Sequence, residues 1–165
     1  INSGYLTPSH IVPMAAPGVM SKGIRWMFNT TSPFYIKPRF DLDLISWGLK
    51  FMKSCTPEHV KKSMKPILDA NLLSKKLYLE MQESKVFDFD LESKGLLMAY
   101  KTSYAEKEEA KVAFMAKDLG VKVNQLSQEQ ILKIQPNAPM EVEGGFMYES
   151  DAHCTPELVM NSLKK

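Results

Sequence analysis

The residues best equipped for chemistry crowd near one end, where Asp151, His153 and Cys154 place three potential metal ligands within four positions. Structural zinc sites draw their ligands from paired, spaced sets, and this run matches none of those patterns. It reads as the polar loop before a helix, and no metal is expected. His10, His59 and His153 can each titrate near neutrality. His59 falls at the third position of a helix start and is expected to be exposed, whereas His10 and His153 lie in non-helical segments able to line a site. No acid, base and nucleophile stand in a recognisable constellation, so catalytic residues stay unassigned. No Gly-x-Gly-x-x-Gly turn follows a strand, and Gly144-Gly145 enters a strand instead of opening a helix. Asn29-Thr30-Thr31 matches a glycosylation acceptor with no secretory context around it.

The elements that must position these residues follow from periodicity. From Ile1 to about Pro38 the chain is rich in Pro, Gly, Ser and Thr, and is expected to be irregular apart from a short helix around Ser21 to Phe28. Asp41 to Cys55 carries Leu44, Ile45, Leu49 and Met52 on one helical face. Thr56-Pro57-Glu58 supplies a hydroxyl cap, a first-turn proline and a first-turn acid, and opens a helix to about Ser84. Pro66 is expected to kink or split that helix. Phe87, Phe89 and Leu91 alternate with Asp88 and Asp90, which predicts a half-buried strand. Ser93-Lys94-Gly95 then turns the chain into a second strand, Leu96 to Tyr100, making an antiparallel hairpin.

Ser103 with Glu106 predicts a capping box opening a helix that turns Val112, Met115, Ala116 and Leu119 inward and ends at Gly120. A short strand over Val121 to Val123, a helix capped by Ser127 and Gln130, and a strand over Glu143 to Tyr148 follow. Thr155-Pro156-Glu157 repeats the earlier helix start. This order describes an α+β fold, a small, mainly antiparallel sheet with several flanking helices.

Composition narrows the function classes. With 21 Lys and Arg against 19 Asp and Glu, the net charge of +2 is too small and too dispersed for a nucleic-acid binder. The apolar run from Ile11 to Met20 is broken by Pro13 and Pro17 and falls short of the ~20 residues a membrane span needs. Cys55 and Cys154 read as two reduced thiols of a cytosolic protein, with a disulfide left open. The chain opens on Ile1 and closes on Leu163-Lys164-Lys165 within a helical pattern, which predicts that both ends are cuts in a longer protein.

Asn2-Ser3-Gly4-Tyr5-Leu6-Thr7-Pro8, followed by Pro13-Met14-Ala15-Ala16-Pro17-Gly18, resembles the bacterial D-amino-acid dehydrogenases of the D-amino-acid oxidase superfamily. Lys22-Gly23-Ile24-Arg25-Trp26-Met27-Phe28 and Lys53-Ser54-Cys55-Thr56 extend the likeness, and later segments fit less specifically. The resemblance implies FAD, hydride transfer from the α-carbon of an amino acid to the flavin, and electron delivery to a membrane quinone or to oxygen.

On the same resemblance, residues 1–38 are the flavin-side segment and interdomain connection. Residues 39–150 are the substrate-binding cap domain, and residues 151–165 start the helix returning to the FAD domain. Asn2, Ser3, Gly4 and Tyr5 would border the cofactor, Gly4 because a missing side chain lets backbone approach a flat ring. Leu6, Ser9, His10 and Met14 would border the substrate. Ser9-His10 stands where the family commonly has Gly-Tyr, and Met14 where it has Trp, implying an altered pocket wall.

Lacking the phosphate turn, the piece by itself is expected neither to bind FAD nor to turn over. Its expected partners are a small-molecule amino acid, peripheral contact of the intact protein with the inner membrane, and further copies of itself meeting through faces near Trp26 and Trp47. The alternative is a non-catalytic binding or interaction module that borrows a cap-domain fold.

Overall fold

The computed structural model describes residues 4–18, 41–87, 89–138 and 140–164. Asn2, Ser3, Asp88, the helix expected over Ser21 to Phe28, Trp26 and the Asn29 triplet lie outside the described residues. Two compact units emerge, Val12–Ile67 and a second made of Ile1–Ile11 with Leu68–Lys165, and each is described by itself.

In the Val12–Ile67 unit, α1 spans Leu42–Ser54. Asp41 caps it, its carboxylate accepting the N–H groups of Asp43 and Leu44 at 3.0 and 3.1 Å. No residue of α1 is buried, and Trp47 stays 54% exposed while stacking on Phe51 at 5.3 Å. The Thr56 hydroxyl accepts the N–H of His59, which is half-buried and not exposed as its position suggests, and α2 runs over Pro57–Glu83, its residues from Leu68 on belonging to the other unit. Pro66 does not split α2, because one missing backbone bond is small against the cooperativity of a 27-residue helix.

The unit that contains the N-terminal segment is built on a three-stranded antiparallel sheet. β1 is the short strand Tyr5–Leu6, β2 is Leu96–Tyr100, β3 is Val123–Ser127 and β4 is Gly144–Tyr148. The sheet order is β2-β4-β3, with Leu96 opposite Tyr148 and Val123 opposite the same Tyr148. A second, two-stranded ribbon pairs β1 with β5, Ala152–His153, Tyr5 lying opposite His153. The helices are α3 over Ser103–Asp118, α4 over Gln128–Ile134 and α5 over Pro156–Leu163.

Alternation along the strands gives the sheet two faces. Tyr100, Val123, Phe146 and Tyr148 are buried on the face that α3 covers. There the small residues Ala113 and Ala116 let the helix approach closely, and the Tyr148 hydroxyl donates to Glu109 at 2.6 Å. The opposite face carries Leu97, Gly145 and Met147, and fully buried Ile131 of α4 lies against Gly145. An added Cβ on Gly145 would come within 3.2 Å of the Ile131 Cδ1.

Three sequence expectations need correction. The first is the hairpin: Leu96–Tyr100 pairs with Gly144–Tyr148, and the described residues around Phe89 form no strand. Asp90 adopts a left-handed φ of 51°, which interrupts any extended run. Phe89 and Leu91 instead join Ala152 in a buried cluster packed by Leu6, Tyr78 and Met81. The second is the cap of α3, which is Thr102 and not Ser103: Thr102 accepts the Ala105 N–H. Glu106 then faces the sheet, accepting from Tyr100 and Gln125 at 3.3 and 3.0 Å. The third is the strand expected over Val121 to Val123, which begins at Val123 and continues to Ser127. The Ser127–Gln130 capping box is present as read.

Among the described residues no helix is long and apolar enough to cross a membrane.

Candidate functional site

The candidate site grows from the ribbon that joins the N-terminal segment to the chain after β4. Gly4 has a φ of +78°, and a Cβ there would collide with the Cys154 carbonyl. The Cys154 N–H donates to the Gly4 carbonyl at 2.8 Å. The structure thus gives Gly4 a reason of its own, a close approach of the chain to itself. Tyr5 follows with 55% of its surface exposed. Leu6, partly buried, turns the other way and packs against the buried cluster of Phe89, Leu91 and Ala152.

Ser9 is 2% exposed, and its two polar groups are already engaged by a carboxylate. Its N–H donates to Asp151 Oδ1 at 3.0 Å and its hydroxyl to Asp151 Oδ2 at 2.5 Å. Pro8 and Ile11 are fully buried beside it, and His10 between them is exposed. The His10 N–H donates to the Thr7 carbonyl at 3.0 Å, and its Nδ1 lies 3.2 Å from the Thr7 hydroxyl. Met14, 70% exposed, falls in the other unit.

A cavity of about 800 Å³ opens on the sheet face opposite α3. Leu97, Met147 and Ile134 make its apolar wall, and Tyr5, Lys94, Gln135, His153 and Cys154 its polar rim. At that rim Glu92 lies between two bases, 2.6 Å from the Lys94 ammonium and 3.4 Å from His153 Nε2. The hydrogen bond and charge of Lys94 hold the Glu92 carboxyl below its usual range. Burial pushes the Cys154 thiol up, which makes it a poorer nucleophile. Both cysteines are free thiols.

Asp151 was visible in the sequence only as a rejected metal ligand. Among the described residues no three His, Cys, Asp or Glu side chains gather to hold a metal. Asp151 is instead 0% exposed, with its carboxyl pushed up by burial and held back by the two Ser9 bonds and the charges of His10 and Lys75. For Glu92 only Lys94 stands nearby in the sequence, and His153 arrives across the bridge between the two segments.

A dinucleotide cofactor is gripped by a glycine turn that opens a helix and presents its N–H groups to phosphate. The described residues contain no such turn. Gly95, at φ +81°, sits against the Tyr148 carbonyl, and Gly144 and Gly145 lie within β4. These residues do not fit the phosphate half of an FAD. Exposed Tyr5 and the cavity wall are placed to face a ring at most.

The comparisons agree with the resemblance read from the N-terminal motifs. No protein-family model matches the chain. A D-amino acid dehydrogenase of Neisseria meningitidis is 24% identical over 99% of this chain and 40% of its own length. D-amino acid dehydrogenase 2 of Ralstonia nicotianae is 28% identical over 82% of this chain and 32% of its own length. A D-amino acid dehydrogenase of Phenylobacterium zucineum is 25% identical over 91% of this chain. The chain is therefore related in sequence to these dehydrogenases, and it spans about 40% of the length of the first of them. Its fold is shared with the glycine oxidase of Geobacillus kaustophilus, with a TM-score of 0.50 and 20% identity over 59% of this chain and 26% of that one.

Proposed function

We propose that this chain is the substrate-side part of an FAD-dependent oxidoreductase acting on the CH–NH2 group of an amino acid, a D-amino acid foremost. The observation that carries this reading is the similarity to D-amino acid dehydrogenases along 99% of the chain. The cavity between the open sheet face and the Tyr5 ribbon supports it, because it combines an apolar wall with a few polar groups at one rim. When bound, the flavin supplies the hydride acceptor and the protein supplies position and dryness. Gly4 and Tyr5 border the cofactor in this reading, with Asn2 and Ser3, Tyr5 being the one of them that lines the cavity, and His10, exposed and outside that lining, borders the substrate. Ser9 acts from behind the wall, since its polar groups face Asp151. The FAD phosphates are gripped by other parts of the protein, so the chain alone neither holds the cofactor nor turns over.

The test is anaerobic mixing of the purified full-length protein with D-amino acids, their L-enantiomers and glycine, reading the flavin absorbance. Bleaching by D-amino acids supports the proposal. An intact protein without flavin, or a flavin that no amino acid reduces, overturns it in favour of a non-catalytic binding module. Reoxidation in air against reoxidation only by a quinone then separates oxygen from a membrane acceptor, the latter reached by peripheral contact. In isolation the chain is expected to self-associate through the exposed Trp47 face. A strict monomer in sedimentation at high concentration counts against that.

A further inference from the structure

Asp151 is a wholly buried carboxylate whose two oxygens are spent on one residue, Ser9, 142 positions away in the chain. The nearby ammonium of Lys75 goes to the Ser150 carbonyl at 2.8 Å. Among the described residues no cation makes an ion-pair contact with Asp151, and a buried acid held that way is a poor way to fill space, since an apolar side chain would do so at less cost. What it supplies is direction. Two charge-assisted bonds from one residue locate Ser9 more narrowly than packing does.

Asp151 is rigidly joined to the sheet. It follows β4 within three residues, its carbonyl accepts the Gly95 N–H at 3.1 Å, and its own N–H reaches the Tyr148 carbonyl at 3.4 Å. Ser9 in turn lies inside a tight turn. The Ile11 N–H donates to the Ser9 carbonyl at 2.9 Å, and Thr7, whose carbonyl also receives the Asn71 amide at 3.5 Å, holds His10 by backbone and ring nitrogen. Pro8 and Ile11 are sunk on either side, so His10 is the exposed tip of an otherwise embedded turn. Moving Ser9 moves His10.

We infer that Asp151 is a positioning residue: through Ser9 it sets where the turn carrying the His10 imidazole stands relative to the end of β4. The inference rests on the reading above, in which His10 borders the substrate. Asp151 touches neither substrate nor cofactor, and acts by fixing the turn.

The test is a double-mutant cycle in the full-length protein, using Asp151→Ala, His10→Ala and the pair. Each single change is expected to lower kcat/KM for the best amino acid by about tenfold, and the pair to be no worse than the more severe single. Asp151→Asn is expected to stay within about threefold of the unaltered protein, because its amide can accept the Ser9 N–H and donate to the Ser9 hydroxyl. A purely structural role would lower the melting temperature yet leave the His10→Ala effect the same in both backgrounds, and that additivity would overturn the inference. If Asp151→Ala does not fold, Ser9→Ala with His10→Ala forms the same cycle.

Hydrogen exchange of the Ser9 amide provides a readout independent of activity. Asp151→Ala is expected to speed it about tenfold or more, and Asp151→Asn to leave it slow. Unchanged exchange in Asp151→Ala overturns the clamp. A protein whose flavin no amino acid reduces sinks the functional reading, and the exchange result still decides the clamp.

Discussion

Tyr148, at the end of the central strand, donates its phenolic hydrogen to Glu109 of α3 across 2.6 Å. The ring is 1% exposed, so this bond ties the middle of the sheet to the helix that covers it. Burial first, and the Glu109 bond second, push the phenol far up from its ordinary range. A pKa raised in the folded state gives stability that is present below the unfolded tyrosine value near ~10 and is lost as pH rises beyond it. Tyr148→Phe is expected to cost about 1–3 kcal/mol at neutral pH, read by denaturant unfolding. The variant should also lack the added alkaline loss, and an equal loss in both proteins would refute the assignment.

Gly4→Ala places a methyl group against the Cys154 carbonyl at a left-handed φ. The expected result is a loss of about 1–3 kcal/mol and parting of the β1–β5 ribbon. Faster exchange of the Cys154 amide, which bonds Gly4, is the measurement.

Ile131 is fully buried, its Cδ1 beside Gly145. Ile131→Ala leaves a hole that a short helix fills poorly, and about 2–5 kcal/mol of destabilisation is expected. A change below half a kcal/mol in thermal unfolding would mean that α4 does not seal the sheet.

Glu92 owes its lowered pKa first to Lys94. The group therefore favours the fold above the ordinary glutamate value and loses that contribution as pH falls through its folded value. Carbon-detected titration should find Glu92 ionised at lower pH than a free glutamate. Lys94→Ala should move it back toward the ordinary value, and no movement would exclude the pairing.

Asp151 runs the other way, its carboxyl raised by burial. The folded state then gains from a bound proton below the unfolded aspartate value of about 3.9 and loses that gain as pH rises through the folded value. The melting temperature of Asp151→Asn minus that of the unaltered protein should therefore rise from acid toward neutral pH. A flat difference across that window would show that Asp151 is not perturbed.

Much of the architecture was legible because its signals are local. Thr56 and Ser127 cap helices with groups three residues away, and Gly144 to Tyr148 reads as a strand from its apolar, small composition. For an equally local reason the sequence points to a hairpin that does not form. The alternation of Phe87, Phe89 and Leu91 meets the strand pattern, but Phe89 and Leu91 bury themselves against Tyr78 and Met81 of the preceding helix and against Leu6 from the start of the chain. One-residue slips such as Thr102 for Ser103 arise because either hydroxyl could cap, and the sheet contacts of Glu106 decide between them.

By itself the sequence determined the α+β class, the helix starts and a likeness to D-amino-acid dehydrogenases concentrated in its first residues, since each is written in neighbouring side chains. Only the tertiary structure decided which strand Leu96–Tyr100 joins, that Leu6 packs on the Phe89 cluster, and that Ser9 faces Asp151 and leaves His10 exposed. Pairing across 142 positions is set by which surfaces leave water together, and no local periodicity records that.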